Sequence, residues 1–61
     1  MKSRELIKLI ENGGWVFVRQ VGSHKIYEKT GERRPLVVPE HGSKELKKGL
    51  TLAILKQAGL R

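Results

Sequence analysis

Apolar residues in the first dozen positions recur at helical spacing. Leu6, Ile7, Leu9 and Ile10 form one stripe, with Lys8 and Glu11 left to water. The pattern predicts a helix to about Asn12, with the Ser3 hydroxyl as N-cap, Glu5 near the positive end of the helix dipole, and Gly13-Gly14 as the stop. The period then changes. Trp15–Val21 is rich in β-branched and aromatic residues and is bounded by glycines, which predicts a strand. Alternation puts Val16, Val18 and Gln20 on one face and Trp15, Phe17, Arg19 and Val21 on the other. Both faces start apolar, so alternation does not say which one meets the helices. Gly22-Ser23 predicts a tight hairpin connection into a second strand, His24–Lys29, and Thr30-Gly31-Glu32 a further turn. Pro35–Pro39 reads as a third, short strand, its prolines placed where a strand end or sheet edge tolerates a missing N–H. Glu40-His41-Gly42-Ser43 is a loop, Ser43 the start of a helical turn through Lys44, Glu45 and Leu46, and Gly49 an interruption. In a second helix, stopped by Gly59, Leu50, Ala53, Ile54 and Ala58 share a face, with Leu46 one turn earlier.

The order α-β-β-β-α, without repeats or linkers, predicts an α+β fold: one domain over residues 1–61, with a three-stranded antiparallel sheet carrying both helices on one face. That is the plan of the double-stranded-RNA-binding domain, an analogy of fold that supports no function by itself. A chain of 61 residues has a thin core, because at this size only about 60% of the unfolded surface is buried. With no cysteine there is neither a disulfide nor a thiolate metal cluster, so stability must come from packing or from a partner. Trp15 and Phe17 are expected in the core, while Tyr27 suits the core or a contact with phosphate or water. No apolar run approaches the roughly 20 residues of a membrane span, and the N-terminus lacks the apolar stretch of a secretory signal. A soluble cytoplasmic protein is expected.

Charge narrows the choice of partner. The 13 Lys+Arg against 6 Asp+Glu give a net charge of +7 and a sequence pI near 10.3. Polyanions are the expected partners: nucleic acid first, an acidic protein second, a membrane surface third. The basic residues are spread along the chain, which fits a folded binding face better than a disordered arm. Among candidate chemical groups, His24 stands at the mouth of the Gly22-Ser23 turn, and histidine exchanges protons near neutral pH. RNA cleavage suits so sparse a site, since the substrate brings its own nucleophile in the 2′-hydroxyl. Arg19, Lys25, Arg33 and Arg34 are candidate phosphate clamps, and Lys47 and Lys48 stand near a helix start that suits phosphate. Ser23 can donate to a phosphate oxygen, and Gly22, lacking a side chain, lets a backbone come close. Turn chemistry accounts for both residues equally well. His41 reads as a solvated loop residue. Two histidines without a carboxylate at ligand spacing make a poor metal site, so no metal or other cofactor is expected. Three readings stay open: a ribonuclease, a non-catalytic RNA-binding module of the same fold, and an interaction protein whose basic face meets an acidic partner.

Five segments in order sharpen this choice: Leu6-Ile7-Lys8-Leu9-Ile10-Glu11, Gly14-Trp15, Val18-Arg19-Gln20-Val21-Gly22-Ser23-His24, Val38-Pro39-Glu40-His41 and Ile54-Leu55-Lys56-Gln57-Ala58-Gly59-Leu60. Together they resemble, nearly end to end, the HicA toxins of HicAB toxin–antitoxin systems. The resemblance implies an mRNA interferase on a double-stranded-RNA-binding-like fold, held inactive by a HicB antitoxin. It also implies a catalytic histidine after the Gly-Ser pair, which falls on His24. Family members commonly read Gly-Thr-Leu before the last helix where this chain has Gly49-Leu50-Thr51, shifting a possible hydroxyl cap by one residue. The antitoxin is expected to carry an acidic patch, since it has a basic surface to cover.

Overall fold

The first apolar stripe winds into α1, Ser3–Asn12, in the computed structural model of the chain, which describes residues 1–41 and 44–61. Ser3, Leu6, Ile7 and Ile10 are its buried positions. Leu9, expected in the stripe, is 41% exposed on the helix flank. The cap is also not the expected one. Lys2 occupies the N-cap position, its backbone N–H donating to Glu5 Oε1 at 2.9 Å, while Ser3 is the fully buried first residue of the helix.

Strands β1 (Val16–Val21), β2 (His24–Glu28) and β3 (Leu36–Pro39) form one antiparallel sheet in that order. Both expected prolines fit. Pro39 faces His24 in the ladder, and the Glu40 N–H to Ser23 O rung one residue on puts Pro39 at a non-hydrogen-bonded position. A bulge at Val18 interrupts β1: Phe17 faces Tyr27 and Arg19 faces Ile26, leaving Val18 as the extra residue. The simple alternation expected for this strand therefore fails. By register, Phe17 and Gln20 share the face of Tyr27 and Lys25, whereas Val16, Arg19 and Val21 share the face of Glu28, Ile26 and His24.

The second helix, α2, spans Lys48–Gln57. Gly49 does not interrupt it but lies in its first turn, and Lys47 is the N-cap, so the hydroxyl of Thr51 caps nothing. Thr51, Ile54 and Ala58 are the residues buried along this stretch, whereas Leu50 and Ala53, expected in the core, are exposed. Before α2, Glu45 pairs with Lys2 in a short antiparallel bridge, and the Leu46 N–H donates to Met1 O at 3.0 Å. Lys44–Leu46 is thus not the expected helical turn, whose start at Ser43 lies outside the described residues. Both helices end in the same way. Trp15 N–H reaches Ile10 O and Gly14 N–H reaches Glu11 O, as Leu60 N–H reaches Leu55 O and Gly59 N–H reaches Lys56 O. This is the Schellman pairing, and Gly14 and Gly59 supply its left-handed residue with φ of +99° and +75°.

Both helices pack on one face of the sheet, against β3. Tyr27, Leu36 and Val38 from the sheet meet Leu6, Ile7, Ile10, Leu46, Ile54 and Ala58, with Trp15 closing the far end through an Nε1–H bond to Ala58 O at 3.1 Å. Tyr27 belongs to this core, and burial pushes its phenol pKa up. The helices stop short of β1, every residue of which is exposed. Phe17, expected in the core, is consequently 46% exposed and meets Tyr27 edge-on at 5.8 Å.

Candidate functional site

The β1–β2 connection is a two-residue turn, Gly22-Ser23, closed by the Val21–His24 pair. Gly22 has φ +58° and Ser23 does not have positive φ, the pattern of a type II′ turn, which matches the twist of the strands it joins. Hydrogen bonds fix both turn carbonyls. Gln20 Nε2 donates to Gly22 O at 3.0 Å, and Glu40 N–H donates to Ser23 O at 2.6 Å. His24 follows at once as the first residue of β2, hydrogen-bonded strands on either side of it and its imidazole exposed. It lies on the sheet face away from the helices.

Of the expected cations, Arg19 comes nearest by register. It is on the same open face as His24 and diagonal to it across the β1–β2 pair, a relation that places Cα atoms about 7–8 Å apart. Lys25 points to the other face. Its Nζ lies 3.0 Å from Glu40 Oε2 and 5.9 Å from the centre of the Phe17 ring, and the hydrogen bond to Glu40 raises its pKa. Lys47 and Lys48 are exposed at the start of α2. That start lies at the His24 end of the molecule, because Leu46 is tied to Met1 and α1 begins beside Glu40 and His41. Arg33 and Arg34 lie in the β2–β3 loop at the opposite end, lining a hollow with Val16, Val18 and Glu28. The four steps of β2 separate the two ends by roughly 13 Å. His41 is exposed, with its N–H donated to Ser3 Oγ at 3.3 Å, two residues beyond the Pro39 that pairs with His24.

Two features of the site were not read from the sequence. One is Glu40, whose carboxylate holds Lys25 and receives a 3.5 Å contact from Ser3 Oγ, so that three segments meet at one acid. In the sequence it stands only as a member of the Val38-Pro39-Glu40-His41 segment, which carries no register. The other is the apolar character of the open face, where Val16, Val18, Val21 and Val37 are all between 42% and 65% exposed. A chemical inventory of the face is short: one imidazole, one guanidinium, the Glu28 carboxylate at the far end of β2, and aliphatic surface. Among the described residues no three His, Cys, Asp or Glu side chains come together as a metal cluster, and no helix is long and apolar enough to cross a membrane.

Comparison with known proteins agrees with this architecture. Among curated proteins there is no match. A chain of a solved toxin–antitoxin complex from Streptococcus pneumoniae is 41% identical, superimposes with a TM-score of 0.83, and is matched over 98% of its length and 98% of this chain. The profile of a family described as the HicA toxin of bacterial toxin–antitoxin pairs matches residues 3–60, from the first residue of α1 past the last residue of α2. On that match, the chain belongs to the HicA toxin family.

Proposed function

We propose that this protein is a metal-independent endoribonuclease that cleaves mRNA in the cytoplasm, with His24 as its proton-transfer group, and that a HicB-like antitoxin neutralises it. The observation that carries the reading is the setting of His24: an exposed imidazole beside a two-residue turn whose carbonyls are both hydrogen-bonded, with Arg19 diagonal to it on a face that is aliphatic apart from Glu28 at its far end. In the reaction the 2′-oxygen attacks the adjacent phosphorus, the P–O5′ bond breaks, and the products are a 2′,3′-cyclic phosphate and a free 5′-hydroxyl. His24 either removes the 2′-proton or supplies one to O5′. Arg19 compensates charge on the phosphorane oxygens, the Ser23 hydroxyl donates to a phosphate oxygen, and Gly22 leaves room for the RNA backbone. Lys47 and Lys48 meet flanking phosphates at the same end of the molecule. Arg33 and Arg34 serve only RNA that runs the length of the sheet, and Lys25 contributes less than its charge suggests while Glu40 holds it.

Partner chemistry follows from the same surface. A protein of net charge +7 favours an acidic antitoxin. The exposed valines beside His24 suit a protein contact better than RNA, since aliphatic side chains neither stack on bases nor bind phosphate.

The test is cleavage of a defined RNA by purified wild-type and His24→Ala protein, with chelator present and with or without the antitoxin. Wild type should give 2′,3′-cyclic phosphate ends despite the chelator, and His24→Ala should be slower by about 10²- to 10⁴-fold at equal folded fraction. The antitoxin should suppress cleavage. A 5′-phosphate product, full loss on chelation, or wild-type rates from His24→Ala would each overturn the assignment. The pH profile assigns the role: activity that fails on the acid side marks His24 as base, and activity that fails on the alkaline side marks it as acid.

A further inference from the structure

The residues on both sides of His24 in sequence are held by one acid. Ser23 O accepts the Glu40 N–H at 2.6 Å, and Lys25 Nζ lies 3.0 Å from Glu40 Oε2. The Glu40–Ser23 rung falls one residue beyond the end of β3, where a ladder is free to fray. Glu40 is kept there by its side chain, which reaches Lys25 on β2 with one oxygen and Ser3 Oγ, at the start of α1, with the other. Ser3 is fully buried, and its Oγ also accepts the N–H of His41, so the anchor runs into the core. Lys25 and Glu40 side chains are each 28% exposed, partly withdrawn from the water that weakens surface ion pairs.

We infer that Glu40 is a positioning residue for His24: its carboxylate clamps the strand end on which the imidazole stands and withholds the Lys25 charge from the substrate. The inference rests on the proposed role of His24. Glu40 itself touches no reacting atom. It acts from the opposite face of the sheet, through the backbone of residues 23 to 25.

The two halves of the role predict opposite effects on binding and turnover, which a merely destabilising substitution does not produce. Glu40→Gln frees Lys25 and changes the net charge from +7 to +8, by removal of one negative charge. RNA should then bind more tightly while single-turnover cleavage slows by about tenfold or more, the cost of a loosened catalytic geometry. Lys25→Met breaks the same ion pair from the other side. It should slow cleavage by a similar factor while RNA affinity stays near that of wild type, because the charge it removes was already held by Glu40. The amide at position 40 reports the rung directly and needs no activity, so its hydrogen exchange by NMR should speed up in both variants. Should wild type prove unable to cleave RNA, the proposed function falls, while exchange at position 40 still decides whether the Glu40 carboxylate clamps the strand end. Unchanged exchange in both variants overturns it, as does wild-type cleavage by both when wild type is active.

Discussion

Gly22 has φ +58°, yet a Cβ built on it meets nothing within 4 Å. Its substitution is therefore opposed by backbone geometry alone within the folded protein, and the effect on stability can be separated from any effect on RNA. Gly22→Ala should cost about 1–2 kcal/mol, the penalty of placing an L-residue at positive φ. Denaturant titration measures that cost. Cleavage at equal folded fraction should fall further, by about tenfold or more, if the RNA backbone passes over the turn. A loss of cleavage fully explained by the unfolded fraction would leave Gly22 a turn residue and nothing else. At this scale the chain was partly legible. The Gly22-Ser23 turn and the position of His24 follow from local residue chemistry, which needs no tertiary information. Phe17 and Tyr27 were not separable, because an aromatic side chain favours burial in either place and the outcome depends on how far the helices reach across the sheet.

At the scale of elements, Gly49 tests how α2 starts. Glycine was read as an interruption because it weakens helices, but here it occupies the first turn, without positive φ and with open space where a Cβ would stand. Gly49→Ala should therefore stabilise the protein by about 0.5–1 kcal/mol, since alanine loses less backbone freedom on folding. Thermal unfolding should move up by a few degrees, as about 1 kcal/mol shifts a domain of this size by roughly 4–8 °C. A lower midpoint would mean that the helix start needs glycine for a reason outside its own backbone. The bulge at Val18 marks the limit of pattern reading among elements. Nothing in a run of β-branched residues announces an extra residue, and a one-residue shift transfers every later side chain to the other face. That shift separates Arg19 from Phe17 and puts it with Val16 on the face of His24. Helix ends were more legible, because the Schellman pairing has a direct sequence sign in glycine, although Gly14 and not Gly13 carries the left-handed angle.

For the whole molecule, the order of elements and the packing of both helices on one face of the sheet were readable, while which face that is and how charge divides between the two ends were not. The sheet divides the expected clamps: Lys47 and Lys48 stand at the His24 end, Arg33 and Arg34 at the other, and Lys25 is turned to the helix side against Glu40. A formal charge of +7 therefore overstates what any one stretch of the proposed RNA substrate would meet. Salt dependence measures this, because each phosphate neutralised on single-stranded RNA contributes a slope of about 0.7 in log K against log salt. Binding should be followed with protein carrying His24→Ala, so that the RNA survives the titration. Added Lys47→Ala and Lys48→Ala substitutions should lower the slope by about 1.4, as two phosphate contacts require. Lys25→Met should leave the slope nearly unchanged, since a lysine already paired with a carboxylate releases no counterion from RNA. An unchanged slope for the Lys47 and Lys48 substitutions would make that cluster a solvated surface. A fall of about 0.7 for Lys25→Met would show that RNA pulls Lys25 away from Glu40, and the clamp on the His24 strand would then open whenever substrate binds.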